Sequence, residues 1–231
     1  MSTLLLRLAG PLQAWGVDAK FNKRSTERMP SKSGVVGMVA SALGRGRDED
    51  LSDLSALLFG VRADQPGSII RDYQTVREQA FWRNRADKYS HVTERYYLSD
   101  AVFVAGLSGD EDLLLEIDAA LQNPHYPLYL GRRSCPPEGR ISLGIREGKS
   151  LQEALSSEPW QASLWFSQRQ SRPVRLEIEM DLAARSSGER TFFQRDLPLT
   201  FDQRDRRYGF RQVYSTTVIL VDGEHDPMQA F

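Results

Sequence analysis

The chain runs almost at once into a short apolar stretch, Thr3 to Ala9 (TLLLRLA), broken only by Arg7 and closed by Gly10-Pro11. A run of that length, dense in Leu and ended by Gly-Pro, suits a buried central strand rather than a helix. The next periodic segment is helical. Ser31 or Ser33 is placed to cap it, because a serine oxygen takes up a free N–H group of the first turn. Val35, Val36, Val39, Ala40 and Leu43 recur at helical spacing, and Gly44 stops the run. Gly34 and Gly37 each weaken such a helix by up to about 1 kcal/mol, so they mark places where another backbone comes close. Behind the acidic stretch Asp48 to Asp53, the residues Leu51, Leu54, Leu57 and Leu58 predict a second short helix.

Strand-like segments follow at Gly67–Tyr73 and Tyr96–Leu107, separated by a polar insert. A helix over Asp110–Gln122 buries Leu113, Leu114, Ile117 and Leu121, with acids at the end where the helix dipole favours them. Tyr126–Leu130 and Ile141–Ile145 read as strands around the loop Gly131–Gly139. The order strand, helix, strand, strand, helix, strand predicts an α+β fold with a ferredoxin-like (RRM-like) core. Beyond Trp160 the texture changes. Val174–Leu182 (VRLEIEMDL) alternates as a half-exposed strand does, and Arg211–Val221 is a more apolar one. The expected organisation is a first domain over 1–145 and a β-rich extension or small second domain over 146–231.

Charge and composition narrow the function. The 231 residues hold 30 Lys and Arg against 31 Asp and Glu, so a basic coat is excluded and any polyanion site is a local patch. One cysteine, Cys135, excludes a disulfide framework and a Cys-rich zinc module, and three scattered histidines offer no metal motif. No cofactor is expected. No apolar run approaches the roughly 18 residues of a membrane span, and the N-terminus lacks a signal peptide's order, which predicts a soluble, cytoplasmic protein without a membrane partner.

Several local features carry chemistry, each with a plainer alternative. Asp18 to Lys32 holds Lys20, Lys23, Arg24, Arg28 and Lys32 against Asp18 and Glu27, a basic stretch leading into the first helix. At that helix start Lys32, Ser33 and Gly34 offer an ammonium, a hydroxyl and free N–H groups to a phosphate, without the spacing of a P-loop; the alternative is an ordinary capped helix. Gln13 and Trp15 lie in a short Gly-bounded loop after the first strand, where the tryptophan stacks on a base or a partner, or closes the core. The insert Thr75–Arg95 interleaves Arg77, Phe81, Trp82, Arg83, Arg85, Lys88, Tyr89, His91 and Arg95, as a single-stranded nucleic-acid surface does. Folded as a β-hairpin, each arm spans roughly 33 Å and protrudes from the body. Lys88, Tyr89 and His91 are also residue types that serve metal-independent RNA cleavage as acid, base and phosphorane clamp. Arg132, Arg133 and Ser134 sit in a loop stiffened by two prolines and suit phosphate contact; Cys135 beside them reads as structural.

Four blocks taken together resemble a known family: LLLRLAGPLQAWG at Leu4–Gly16, PSKSGVVGMVASALG at Pro30–Gly44, RDYQTV at Arg71–Val76 and YPLYLGRRSCPP at Tyr126–Pro137. In this order they closely resemble the CRISPR-associated Cas five family, in the form that serves type I-E Cascade complexes. The resemblance implies a RAMP-type protein with a ferredoxin-like core and a projecting β-hairpin thumb over about 75–96. It implies a non-catalytic subunit in antiviral defence that caps one end of the Cascade backbone and grips the 5′ handle of the CRISPR RNA. The neighbouring backbone subunit and the large PAM-reading subunit are the implied protein partners, with target DNA reached indirectly through the complex. On this reading Gln13, Trp15, Lys32, Ser33, Gly34, Arg71, Arg77, Arg95, Arg132, Arg133 and Ser134 bind RNA. Phe81, Trp82, Arg83, Tyr89 and His91 form the thumb and partner contact. The alternative comes from type I-C relatives, in which the related protein is itself the endoribonuclease that processes CRISPR repeat RNA.

Overall fold

The structure, a computed structural model, describes residues 2–16, 23–77, 90–184 and 190–220. Its elements in chain order are β1 (Ser2–Ala9), β2 (Leu12–Gln13), β3 (Lys23–Arg24), α1 (Lys32–Ala42), α2 (Ser52–Ala56), β4 (Leu58–Gln65), β5 (Ser68–Arg77), β6 (Ser90–Ser99) and β7 (Val102–Gly109). They continue with α3 (Glu111–Gln122), β8 (Ser142–Arg146), α4 (Leu151–Ser157), α5 (Leu164–Ser167), β9 (Val174–Asp181), β10 (Arg190–Thr200) and β11 (Arg207–Leu220).

The fold is mixed α+β around a seven-stranded antiparallel sheet in the order β10-β11-β9-β4-β7-β1-β8. β1 is buried along nearly its whole length, as its run of leucines predicts, and pairs with β7 on one side and β8 on the other. Leu4, Leu6 and Leu8 face α1 and α3 in the larger core, with Phe59, Val61, Phe103 and Leu107. Leu5 and Val104 face the other way, where Leu151 and Leu155 of α4 pack with Ile178 and Met180 of β9. The C-terminal strands belong to the same sheet: β9 pairs with β4, β11 with β9 and β10 with β11.

Three elements differ from the sequence-based expectation. β4 is a strand where Leu57 and Leu58 read as the end of a helix. Its period is hidden by Gly60 and by Arg62 and Asp64, charges that normally signal a surface. Both are buried: Arg62 grips Asp64 with two hydrogen bonds, of 2.6 and 2.8 Å, and donates to the carbonyls of Leu155, Glu158 and Pro159. The same guanidinium thereby satisfies the open carbonyl end of α4. Tyr96–Leu107 is two strands in two sheets, because the chain turns at Asp100, a non-glycine residue at φ +53° whose N–H donates to the Pro11 carbonyl. Tyr126–Leu130 is irregular chain instead of a strand.

A second, smaller sheet has β6 at its centre. β5 runs antiparallel to it over ten pairs, from Ser68 opposite Ser99 to Arg77 opposite Ser90, and β2 and β3 pair along its other side. Among the described residues no helix is long and apolar enough to cross a membrane.

Candidate nucleic-acid interface

α1 begins as its sequence predicts, with Ser31 as cap: its Oγ accepts from the Gly34 N–H at 3.3 Å. The anion at this helix start, however, is the protein's own. The Asp196 carboxylate of β10 accepts the Lys32 backbone N–H at 2.7 Å and is fully buried. Arg211 clamps the same carboxylate through Nε at 2.6 Å and Nη2 at 3.0 Å, and reaches Asp181 through Nη1 at 2.8 Å. The Lys32 ammonium completes the group, donating to the Leu57 carbonyl at 2.7 Å and to Asp181 at 3.1 Å. Lys32 is 4% exposed, and burial holds its pKa below the ordinary lysine value against the pull of Asp181. The expectation of a phosphate on Lys32, Ser33 and Gly34 is therefore corrected. A carboxylate already occupies the electropositive helix end, and the ammonium is spent inside the fold.

Gln13 and Trp15 are likewise interior. Gln13 Nε2 donates to the carbonyls of Leu8 at 3.0 Å and Ala101 at 2.7 Å, tying the end of β1 to the start of β7. Its Oε1 accepts the Trp15 indole N–H at 3.0 Å. The buried ring lies against α1, where a methyl group on Gly34 would stand 2.8 Å from Cε3. Gly34 is thus a site of close approach, but what approaches is the Trp15 ring and not another backbone, and at Gly37 the nearest atoms, 3.6 Å away on the Phe201 ring, are in ordinary contact. The readings of Gln13 and Trp15 as RNA contacts are corrected to core packing, because neither side chain reaches solvent.

The Gly131 loop packs onto this base. Gly131 has φ +83°, and a methyl group there would fall 1.8 Å from the Ala14 carbonyl oxygen, so only glycine fits. Arg132 turns inward as a strut. It donates to the Tyr96 carbonyl at 3.1 Å and to those of Arg24 and Ser25 at 3.0 and 3.1 Å, with its guanidinium 4.8 Å from the Tyr97 ring centre. Its reading as a phosphate ligand is corrected to one of positioning. Arg133 and Ser134 point to solvent. Cys135 is buried, and burial pushes its thiol pKa up, which fits a structural residue and not a nucleophile.

The strut brings the loop to the base of the β5–β6 ribbon, where the remaining basic residues collect. Arg95 is half-buried, opposite Asp72 and beside Arg24 in the parallel β3–β6 pairing. Lys23 stands 5.8 Å from the Tyr96 ring centre, and Arg71 stands 6.0 Å from that of Tyr73. Arg71 is 58% exposed and lies 3.5 Å from Glu94. Arg77 is opposite Ser90, and His91 opposite Val76, further along the ribbon. Phe81, Trp82, Arg83 and Tyr89, with Lys88, fall outside the described residues.

The structure thus gathers Arg71, Arg95, Arg133 and Ser134 around one junction and adds Lys23, Arg24, Tyr73 and Tyr96. Exposed cations over aromatic rings, on strands held by an inner strut, can contact phosphates and stack on unpaired bases. Lys23 and Arg24 carried a legible signal in the basic stretch before α1. The tyrosines carried one only in their neighbours, since Tyr96-Tyr97 resembles any strand. Among the described residues no group of three or more His, Cys, Asp or Glu is arranged to hold a metal ion.

A large antiparallel sheet with few helices and a basic-aromatic ribbon at its side places the chain in the mixed α+β class. The particular family follows from comparison. Residues 3–214 match the family described as CRISPR-associated protein (Cas_Cas5), and the chain belongs to that family. It is 38% identical over 172 residues to the CRISPR system Cascade subunit CasD of Escherichia coli (strain K12), covering 67% of this chain and 75% of that one. A solved structure described as a CRISPR RNA-guided surveillance complex contains a chain that superimposes with a TM-score of 0.77 at 32% identity, over 98% of this chain and 96% of that one. A crystal structure of a Cas protein superimposes with a TM-score of 0.72 at 36% identity, over 97% and 99% of the two chains.

Proposed function

We propose that this chain is a non-catalytic subunit of a type I-E Cascade surveillance complex, in which it binds and caps the 5′ handle of the CRISPR RNA and contacts the adjacent backbone subunit and the large subunit. The segment β1-α1-β4-β7-α3-β8 is then its ferredoxin-like RAMP core, and the β5–β6 ribbon is the stem of its thumb. The observation that carries the reading is the base of the β5–β6 ribbon, where Lys23 stands over the Tyr96 ring and Arg71 over the Tyr73 ring on one face, Arg24 and Arg95 pair on the other, and the Arg132 strut holds the loop with the exposed Arg133 and Ser134 alongside. The handle backbone runs across this junction, phosphates on the cations and bases on the rings, and Arg71 and Arg77 extend the track along β5. The strand order β4-β7-β1-β8, with helices following β1 and β7, supports the core assignment. The membership of the relatives in Cascade and in a guided surveillance complex supports the partners and the antiviral role.

The test is incubation of the purified chain with end-labelled repeat RNA in EDTA, resolving both length and mobility. Intact RNA shifted in a salt-dependent way is the expected result. A shortened product ending in a cyclic phosphate overturns the non-catalytic reading in favour of a processing nuclease, with His91, Lys88 and Tyr89 as the first residues to replace.

A further inference from the structure

The β10–β11 hairpin carries the two most exposed large apolar side chains among the described residues, Phe193 at 68% and Phe210 at 65%. Register puts them on one face. Phe193 is opposite Gln212, and Phe210 lies two residues from Gln212 along β11, so all three point the same way. Tyr214, two residues from Gln212 in the other direction, shares that face and packs in the α4 core, which places the rings on the α4 side of the sheet. The two phenylalanines are diagonal neighbours on adjacent strands, about 7–8 Å apart.

A β-bulge brings charge to the same face. Gln194 is opposite Arg211 and Leu197 opposite Gly209, so Arg195 and Asp196 together face the single residue Phe210. Their side chains leave the strand in opposite directions. Asp196 turns to the α1 side, where the Lys32 N–H and Arg211 hold it. Arg195 turns to the α4 side, with its guanidinium 6.0 Å from the Phe210 ring centre. At the hairpin tip Arg204, Arg206 and Arg207 are exposed. Outside the buried Asp196–Arg211 pair, Phe193–Gln212 holds four arginines against two aspartates, and Arg207 takes up one of these, Asp205, at 3.0 Å. Among the described residues no carboxylate lies within ion-pair distance of Arg195, Arg204 or Arg206.

This chemistry selects the occupant. Guanidinium groups without carboxylates suit a polyanion, and two flat rings on neighbouring strands suit planar groups in succession. A single strand of nucleic acid supplies both, with phosphates for the cations and unpaired bases for the rings, whereas a duplex keeps its bases stacked inside. None of these residues belongs to the base of the β5–β6 ribbon.

We propose that the α4-side face of the β10–β11 hairpin binds single-stranded nucleic acid, with bases stacked on Phe193 and Phe210 and phosphates held by Arg195 and the arginines of the tip. It is a second strand path, beyond the handle grip and independent of it.

The test uses the full chain saturated with unlabelled repeat RNA and reads the fluorescence anisotropy of short labelled oligo(dT) and oligo(U). The double variant Phe193→Thr, Phe210→Thr removes both rings and keeps strand propensity at two exposed positions, so its melting temperature changes little. It binds the oligonucleotides roughly tenfold or more weakly, while its affinity for repeat RNA is unaltered. Arg195→Gln, a milder change, lowers the log–log salt slope of oligonucleotide binding by about 0.7. Ring-dependent binding of either oligonucleotide supports the proposal, and the preference between them tells DNA from RNA. Equal binding by the double variant and the unsubstituted chain, or no binding of either probe, overturns it. A double variant that keeps both nucleic-acid affinities and fails to join the partner subunits assigns the face to protein and overturns it. Loss of repeat-RNA affinity in the double variant assigns the hairpin to the handle strand and overturns it too. A chain that does not bind repeat RNA yet binds the oligonucleotides through the rings supports this site while counting against the handle reading.

Discussion

Replacing Lys32 with methionine separates a structural lysine from a phosphate ligand. The substitution keeps the length of the stem and removes two contacts, Nζ to the Leu57 carbonyl at 2.7 Å and Nζ to Asp181 at 3.1 Å. Breaking a buried ion pair costs about 3–5 kcal/mol when the surviving charge is stranded. Here Asp181 is not stranded, because Arg211 Nη1 at 2.8 Å and the Phe59 N–H at 2.9 Å still hold it. The orphaned Leu57 carbonyl costs about 1–3 kcal/mol, and relief from burying the ammonium offsets part of the total. The net expectation is a loss of about 1–2 kcal/mol, which at about 2–4 °C per kcal/mol lowers Tm by about 2–8 °C. Thermal unfolding measures this, alongside repeat-RNA affinity of the folded variant at the same salt, which is predicted unchanged. A Tm that holds while RNA affinity falls several-fold would overturn the structural role and return Lys32 to the interface.

Arg132→Ala and Arg133→Ala, adjacent in sequence, should part company. The first removes three bonds to carbonyls and lowers Tm, whereas the second leaves Tm unchanged and weakens RNA binding. Gly131→Ala should destabilise by well over about 1 kcal/mol in urea titration, since the new methyl meets the Ala14 carbonyl. Gly139→Ala, also at positive φ but with its nearest atom 3.8 Å away, should cost less. The Glu179 carboxyl is pushed up to about 7 by burial first and by Glu177 second. The folded state therefore holds this proton more tightly than the unfolded chain, and stability is fully present below about pH 4.5 and lost as pH rises through 7. Glu179→Gln should gain roughly 1–2 kcal/mol over the unsubstituted chain at pH 8, allowing for partial exposure, and almost nothing near pH 4. Denaturant midpoints at the two pH values check it.

The legible parts of this molecule are those where local chemistry and tertiary environment agree. β1 declares itself through leucines on both faces, α1 through its cap and its period, and β9 through alternation, and each stands where its residues predict. β4 was hidden because its arginine and aspartate are buried against each other, a pairing visible only once the end of α4 is in place. The site shows the same division. Arg133 and Arg95 are basic, and the fold leaves both with access to solvent. Lys32 and Arg132 are equally basic in sequence, but one meets aspartates from strands roughly 150 positions away and the other meets carbonyls of the ribbon base. No window of sequence around Lys32 contains Asp181 or Asp196, so its ammonium reads as free until the sheet is assembled. Trp15 fails in the same way: the loop is correctly found, and the direction of its ring is set by a glycine on α1.

The most direct measurement is the salt dependence of repeat-RNA binding by the isolated chain. Each phosphate contact on a single strand contributes a log–log slope of about −0.7. Contacts from Lys23, Arg24, Arg71, Arg77, Arg95 and Arg133 predict a slope of about −4, relaxing to about −3.5 in Arg133→Ala and unchanged in Lys32→Met. A slope near zero, or one that Lys32→Met flattens and Arg133→Ala leaves intact, would contradict an RNA grip built at the base of the β5–β6 ribbon.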